Sequence, residues 1–233
     1  MLLAWKSARV ITYAGYILGF PNDTVDTIVH DIEIIKKELP VDLLEFFFLT
    51  PLPGSEDHQK LVKAGAALDP DMNNYDLNHA TAEHPRMSRE DWQRAYRLAW
   101  KTYYTDDHME TVLRRLTVTR GRPGNAVLLL TWFKGCIDFE GVHPLEGGAL
   151  RFKFRRDRRP GFATLPAWRF YPMYLAETFA KLGRWLGLYL RLRLKWERIK
   201  RDPRRFEYTD LAVTPLKDDE SETRDLFLET RTA

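Results

Sequence analysis

The first long apolar run of the chain, Val10 to Phe20, is cut by Pro21 and followed at once by Asn22, Asp23 and Thr24. A short run rich in Val, Ile, Tyr and Phe reads as a buried strand. Pro21 stops it, because proline cannot donate to a ladder. Asp23 or Thr24 can then cap a helix, with Asp26 in a first turn that favours negative charge. Ile28, Ile32, Ile35 and Leu39 recur three or four apart, which gives that helix one apolar face. After Pro40 a second apolar run, Leu43 to Leu49, reads as another buried strand. Strand, helix and strand in this order predict a parallel pair with a right-handed crossover. Ligands in such folds sit at the carboxyl ends of the strands. Here those ends are Gly19-Phe20-Pro21-Asn22 and Thr50-Pro51-Leu52-Pro53-Gly54-Ser55.

The pattern then turns helical. Ser55 can cap a short helix through Glu56, Leu61, Val62 and Ala64, which Gly65 ends. Residues 69–87 read as an irregular segment: Asp69, Asp71, Asn73, Asn74, Asp76 and Asn78 compete with helical hydrogen bonds, and Pro70 and Pro85 interrupt them. Such a segment is either a solvated surface loop or a cover over a functional site. Ser88 caps the next helix, whose Trp92, Ala95, Tyr96, Ala99, Trp100 and Tyr103 form a stripe. That stripe reads as core packing ahead of base stacking. Thr105 opens a further helix through Met109, Val112, Leu113 and Leu116, and Gly121, Pro123 and Gly124 close this helical part. Val127 to Phe133 is apolar enough for a strand or a short helix, and periodicity does not decide between them.

Gly135 to Gly161 is Gly-rich and then basic, with Arg151, Lys153, Arg155, Arg156, Arg158 and Arg159 interleaved with Phe152 and Phe154. A solvated loop is the plainer reading; a docking site for an anionic membrane or a nucleic-acid backbone is the sharper one. Residues 171–201 read as one long helix with a wide apolar face (Leu175, Phe179, Leu182, Trp185, Leu186, Tyr189, Leu192, Trp196, Ile199) and many Lys and Arg. It suits a membrane interface or packing against another part of the protein. Residues 203–233 are charged, sparse in apolar residues and broken by Pro203 and Pro215, so they read as disordered, with Leu226-Phe227-Leu228 as one short docking candidate.

Composition narrows the class. The 233 residues are 44% hydrophobic and 30% charged with net charge +3, as for a globular protein with a sizeable core. One cysteine, Cys136, excludes a disulfide scaffold and fits a reducing cytoplasm. No run approaches the ~20 apolar residues that span a bilayer. His79 with His84, Asp57-His58 and His108-Met109-Glu110 are isolated, so no metal site is assigned. Glu45 is the one carboxylate inside an apolar strand. It must be paired or bound to something: substrate or cofactor on one reading, a lysine or arginine on the other.

Gly15-Tyr16-Ile17-Leu18-Gly19-Phe20-Pro21-Asn22 resembles the fifth-strand motif of radical S-adenosylmethionine enzymes, glycine-x-isoleucine-x-glycine-x-x-glutamate. Glu45 to Ser55 is similar to the next strand and its loop in that family. Asp42 to His58, Asp69 to His79 and Gly141 to Gly161 also resemble the branch that often carries an N-terminal cobalamin-binding domain. The likeness covers roughly residues 1–172 and is most specific over 13–58. Asn22 stands where the motif has glutamate. The family's C-x3-C-x2-C cluster motif is absent, and one thiolate cannot hold a [4Fe-4S] cluster.

The resemblance implies an α/β fold: a partial TIM-type barrel, then a mainly helical C-terminal extension. The expected parts are 1–68 (C-terminal part of the barrel), 69–120 (cover and helices), 121–202 (Gly/Arg-rich segment and long basic helix) and 203–233 (disordered tail). Met1 to Lys6 would be the end of the barrel's fourth helix. The parent enzyme would cleave S-adenosylmethionine reductively, with a [4Fe-4S] cluster and optionally cobalamin, and use the radical on a small organic substrate. Gly15, Ile17, Gly19 and Asn22 would line S-adenosylmethionine; Glu45, Thr50, Pro51 and Ser55 would form the substrate rim. The cluster would come from the missing N-terminal half of the barrel or from a separate chain, so 1–233 alone would be inactive. The expected location is the cytoplasm, with optional contact to a membrane surface through 171–201. The other reading is a non-catalytic basic module that docks on a membrane surface or, less expected, on nucleic acid.

Overall fold

The computed structural model describes residues 2–76, 78–147, 152–158 and 161–214. In chain order the elements are α1 (Leu2–Ser7), β1 (Tyr13–Leu18), α2 (Val25–Glu38), β2 (Leu43–Phe48), α3 (Glu56–Lys63), α4 (Arg89–Tyr103), α5 (Asp106–Val118), α6 (Pro123–Gly135) and α7 (Ala167–Arg201). A 3-10 turn lies at Met72–Asn74 and a π-helical turn at Cys136–Glu140. The fold is α/β with a helical C-terminal region. β1 and β2 pair in parallel, from Tyr13 opposite Leu43 to Leu18 opposite Phe48. Among the described residues no other strand joins them, so the sheet is two-stranded, and the expected partial barrel is seen only as this one parallel unit of an α/β fold.

Local chemistry sets the helix starts. The Thr24 hydroxyl accepts from the Thr27 N–H, and the Thr27 hydroxyl accepts from the Thr24 N–H, a reciprocal capping box. Asp23 acts one step earlier. Its carboxylate accepts from the N–H groups of Gly19 and Phe20 and folds the turn after β1. Ser55, Ser88 and Thr105 cap α3, α4 and α5 through their hydroxyls.

One face of the sheet, Tyr16 and Leu18 with Leu44, Phe46 and Phe48, packs under α2 and α4. The Phe46 ring meets Trp100 edge-on at 5.1 Å, and Phe48 stacks on Tyr96 at 4.6 Å. Trp92, Tyr96, Trp100 and Tyr103 are all buried, so the aromatic stripe of α4 is core. Tyr103 donates to the Val41 carbonyl and Tyr104 to the Leu44 carbonyl, which ties α4 to β2 through polar tips.

At the amino ends of the strands Lys6 and Asp42 form a fully buried ion pair. The same Asp42 oxygen accepts from the Thr12 N–H at 2.7 Å and from the Thr12 hydroxyl at 3.1 Å. Burial pushes Lys6 down and Asp42 up, each against the pull of its partner.

Several expectations change. The stretch Val127 to Phe133 is helical: Pro123 opens α6 at a position where its missing N–H costs nothing, and apolar residues on every side hide the helical period. α7 starts at Ala167, not Tyr171, and carries Pro172 inside it. Its 35 residues span about 52 Å. α6 and α7 run antiparallel and touch at two glycines. A methyl on Gly124 would stand 3.1 Å from the Trp196 ring, and one on Gly135 would stand 2.4 Å from the Trp185 ring. Residues 203–214, expected to be disordered, form turns. Arg115, buried at 2% exposure, donates from Nε to Asp210 at 2.7 Å and from its guanidinium end to the Lys36 carbonyl. Arg151, Arg159 and the candidate Leu226-Phe227-Leu228 lie outside the described residues.

Removing Lys6 leaves Asp42 charged and buried, a class of change that costs about 3–5 kcal/mol. Lys6→Met is therefore expected to lower unfolding stability by that order in a urea titration. The double variant Lys6→Met/Asp42→Asn should recover part of the loss. A Lys6→Met protein as stable as the parent would refute the anchoring role.

Candidate functional site

The second face of the sheet carries Tyr13, Gly15 and Ile17 from β1 beside Leu43, Glu45 and Phe47 from β2, with Gly15 directly opposite Glu45. Tyr13, Gly15 and Ile17 are exposed, while Glu45 is wholly buried. Leu129, Trp132 and Phe133 of α6, with Pro144 and Leu145, close over the Tyr13–Leu43–Glu45 end and leave a cavity of about 250 Å³. Tyr13 meets Phe133 edge-on at 5.9 Å.

Glu45 has neither expected ion-pair partner: both of its carboxylate oxygens are buried without a hydrogen bond among the described residues. Burial alone pushes its pKa up to about 7. A carboxylic acid held near neutrality on an apolar face can bind a cation when ionised and donate a hydrogen bond when protonated.

The residues expected at the carboxyl ends divide in two. Gly15 and Ile17 lie on the open sheet face. Gly19 has a different reason to be glycine: φ is +103°, and a methyl there would stand 2.0 Å from the Trp92 ring. Asn22 is exposed, and its backbone carbonyl accepts from Arg86 at 2.9 Å. The Thr50 hydroxyl donates to the Phe48 carbonyl, and the Ser55 hydroxyl is occupied by its cap. Pro51 is half-buried on the same loop. The structure thus brings Gly15, Ile17 and Glu45 onto one face and leaves Gly19, Asn22, Thr50, Pro51 and Ser55 on the rim above it.

Two residues of segment 69–87, His84 and Arg86, touch the turn after β1. His84 Nε2 is 2.9 Å from the Phe20 carbonyl oxygen, and its ring sits 5.2 Å from that of Trp92. His79 turns elsewhere, to Asp76 at 2.9 Å. The two histidines do not converge, and among the described residues no group of three His, Cys, Asp or Glu could hold a metal ion.

Sequence reading missed a larger feature. A cleft of about 700 Å³ opens beside the end of β2, lined by Phe48, Tyr96 and Trp100 and by charged groups including Asp76, Arg97, Lys101 and Glu146. Asn78 spans its wall, accepting from the Tyr96 hydroxyl at 2.9 Å and donating to Glu146 at 2.7 Å. His143 was also missed. It is wholly buried, 5.0 Å from the Phe47 ring, with Nε2 unpartnered among the described residues and its pKa lowered to about 4 by burial. Its only sequence signal was a polar residue beside Pro144 in a Gly-rich stretch. Cys136 is buried, as expected of a small apolar side chain.

No family model, no curated protein and no solved structure matches this chain. Site geometry therefore carries the functional argument.

The raised Glu45 pKa fixes the sign of a pH effect. Between pH 4.5, its ordinary value, and about 7, the unfolded chain has lost this proton and the folded chain has kept it. Stability from this group therefore falls as pH rises through that window. Glu45→Gln should match the parent near pH 4 and exceed its stability at pH 8 by up to ~3 kcal/mol in urea titrations. His108 and His143, with pKa values lowered to about 3 and 4, act in the opposite direction below pH 6.5. Their effect cancels in the difference between the two proteins. A pH-independent difference would overturn the Glu45 assignment.

Proposed function

We propose that this chain is the C-terminal part of a radical S-adenosylmethionine enzyme, whose partial TIM-type barrel is completed by the missing N-terminal half or by a separate chain. The observation that carries the reading is the sheet face opposite α2 and α4, of which α6 covers the Tyr13–Leu43–Glu45 end and leaves the Ile17 end exposed. In a barrel with helices outside, the face opposite α2 and α4 points inward, and that face bears Gly15, Ile17 and the unpartnered Glu45. Among the described residues one edge of β1 is unpaired, and preceding barrel strands would pair there.

The fit to the cofactors is uneven. A [4Fe-4S] cluster does not fit this chain, because its one cysteine is buried beside Gly147. Its ligands must come from elsewhere. S-adenosylmethionine fits better: Gly15 and Ile17 are exposed with Asn22 above them, and an adenine ring would lie along this edge beside the Phe47 ring, which stands 2.8 Å from where a methyl on Gly15 would be. Gly19 contributes only through the turn it makes, since Trp92 occupies the space beside it. When bound and reduced, the cofactor supplies the radical, and the protein supplies binding, orientation and exclusion of water. Glu45 is suited to hold a polar substrate group against the barrel wall. Cobalamin would belong to the parent's own domain for it.

Two measurements test the proposal. Purified 1–233, reconstituted anaerobically with iron, sulfide and a reductant, is expected to form no 5′-deoxyadenosine. Mixed with a chain that carries C-x3-C-x2-C and the earlier strands, it should form it, and Ile17→Asp should lower the yield at least about tenfold, as expected for a charge placed on an apolar binding face. The DNA upstream of the Met1 codon should encode that cysteine motif, in frame or in an adjacent gene. Its absence there, or deoxyadenosine from 1–233 alone, would overturn the reading.

A further inference from the structure

We propose that the outer face of α7, with the basic segment 152–158 beside it, is a docking surface for an anionic membrane. The inference does not depend on the radical chemistry above.

The argument starts from which way α7 faces. Phe170, Leu188, Leu192 and Ile199 are buried, and Lys181 and Trp185 reach Glu140 on the same side. That side packs on α5, α6 and the π-helical turn. Successive residues step round a helix by about 100°, so the opposite face is Trp168, Pro172, Leu175, Ala176, Phe179, Leu182, Gly183, Leu186, Gly187 and Leu190. Every one of these is exposed, Phe179 at 68%. None is charged.

A stripe about six turns long that no described residue covers, on a packed helix, exceeds what isolated surface leucines explain. Gly183 and Gly187 sharpen the point. A methyl on either would meet nothing within 4 Å, so nothing in the described residues requires glycine. Each costs about 1 kcal/mol of helix stability relative to alanine.

Charge selects the occupant. One flank of the stripe carries Arg169 and Arg184, with Arg191 beside them paired to Asp106, and segment 152–158 adds Arg155, Arg156 and Arg158 against one Asp157, its Lys153 being paired to Glu177. Lys153 pairs with Glu177 of α7 and Arg158 lies over the Phe170 ring, so this segment runs along the amino-terminal part of α7 on its Phe170 side, flanking the stripe rather than extending it. Phe152, Phe154 and Phe162 stand out exposed beside it. The acidic residues of α7 are already engaged: Glu177 with Lys153 and Lys181, and Glu197 with Arg193. An apolar stripe edged by arginines, with aromatics beside it, complements a headgroup layer of negative charge over acyl chains. A second copy of this chain fits less well, because antiparallel pairing of two α7 faces would set the same basic flank against itself. No helix among the described residues is long and apolar enough to cross a membrane, so the contact would lie along the surface.

The test is co-sedimentation of the full 233-residue chain with vesicles of phosphatidylcholine, alone or mixed with phosphatidylglycerol. Binding is expected only with phosphatidylglycerol, and it should weaken as salt rises. Phe179→Asp/Leu186→Asp and Arg169→Glu/Arg184→Glu each change exposed residues and should keep the fold by circular dichroism. Each should weaken vesicle binding about tenfold or more. Brominated lipids should quench tryptophan fluorescence in the parent, and much less in Trp168→Phe. No binding to anionic vesicles would overturn the proposal, as would binding that both double variants retain. A solution dimer dissociated by Phe179→Asp/Leu186→Asp would assign the face to a second copy, and salt-sensitive RNA binding without vesicle binding would assign it to nucleic acid.

Discussion

One carboxylate oxygen holds the amino ends of both strands. Asp42 Oδ2 takes the Lys6 ammonium, the Thr12 N–H and the Thr12 hydroxyl, so it joins α1, the start of β1 and the start of β2 at one atom. The register follows from that joint: with Thr12 tied to Asp42, Tyr13 falls opposite Leu43 and Gly15 opposite Glu45. A slip by one residue would exchange every side chain between faces. Phe46 and Phe48 would then leave the α4 aromatics, and Glu45 would enter the core between α2 and α4. The register that sets Glu45 against Gly15 thus follows from a contact at the amino ends of the strands.

The two faces have opposite fates. The face toward α2 and α4 is closed by rings; the polar tips of Tyr103 and Tyr104 bond the carbonyls of Val41, just before β2, and of Leu44 within it. The other is closed over one end only, and there the buried group is a carboxylate with no partner among the described residues. Burying a charge without a partner is costly, and proteins carry that cost most often where binding or chemistry uses it. The same contrast recurs on α7, whose inner side is filled by tryptophans and leucines and whose outer side is apolar and bare.

Much of the local structure was legible in the residues. Thr24, Ser55, Ser88 and Thr105 announce helix starts because a short hydroxyl beside a free N–H has one good use there. The parallel pair and the buried stripe of α4 follow from periodicity. What escaped was long-range or symmetric. α6 is apolar all round, so no period marks it as a helix. Arg115 and Asp210 meet across 95 positions, which no local pattern encodes. Glu45 stood out as a charge in an apolar strand, but only coordinates show that no lysine or arginine among the described residues bonds to it. His143 had no spacing partner. Gly19 fitted a ligand motif, and its neighbour turned out to be Trp92, a contact that depends on how α4 crosses the strand end.

The two glycine contacts between α6 and α7 set a length constraint. Gly124 and Gly135 lie eleven residues apart on one helix, and Trp196 and Trp185 eleven apart on the other. Eleven residues are close to three full turns, so both rings drop onto the same side of α6 together. The pair works as a vernier with two coincident marks. Substitutions between the marks can be absorbed by neighbouring side chains. Loss or gain of a single residue in either helix turns the second mark by about 100° and leaves an indole facing backbone that carries no gap for it. Over this stretch the chain can vary in spelling but not in length.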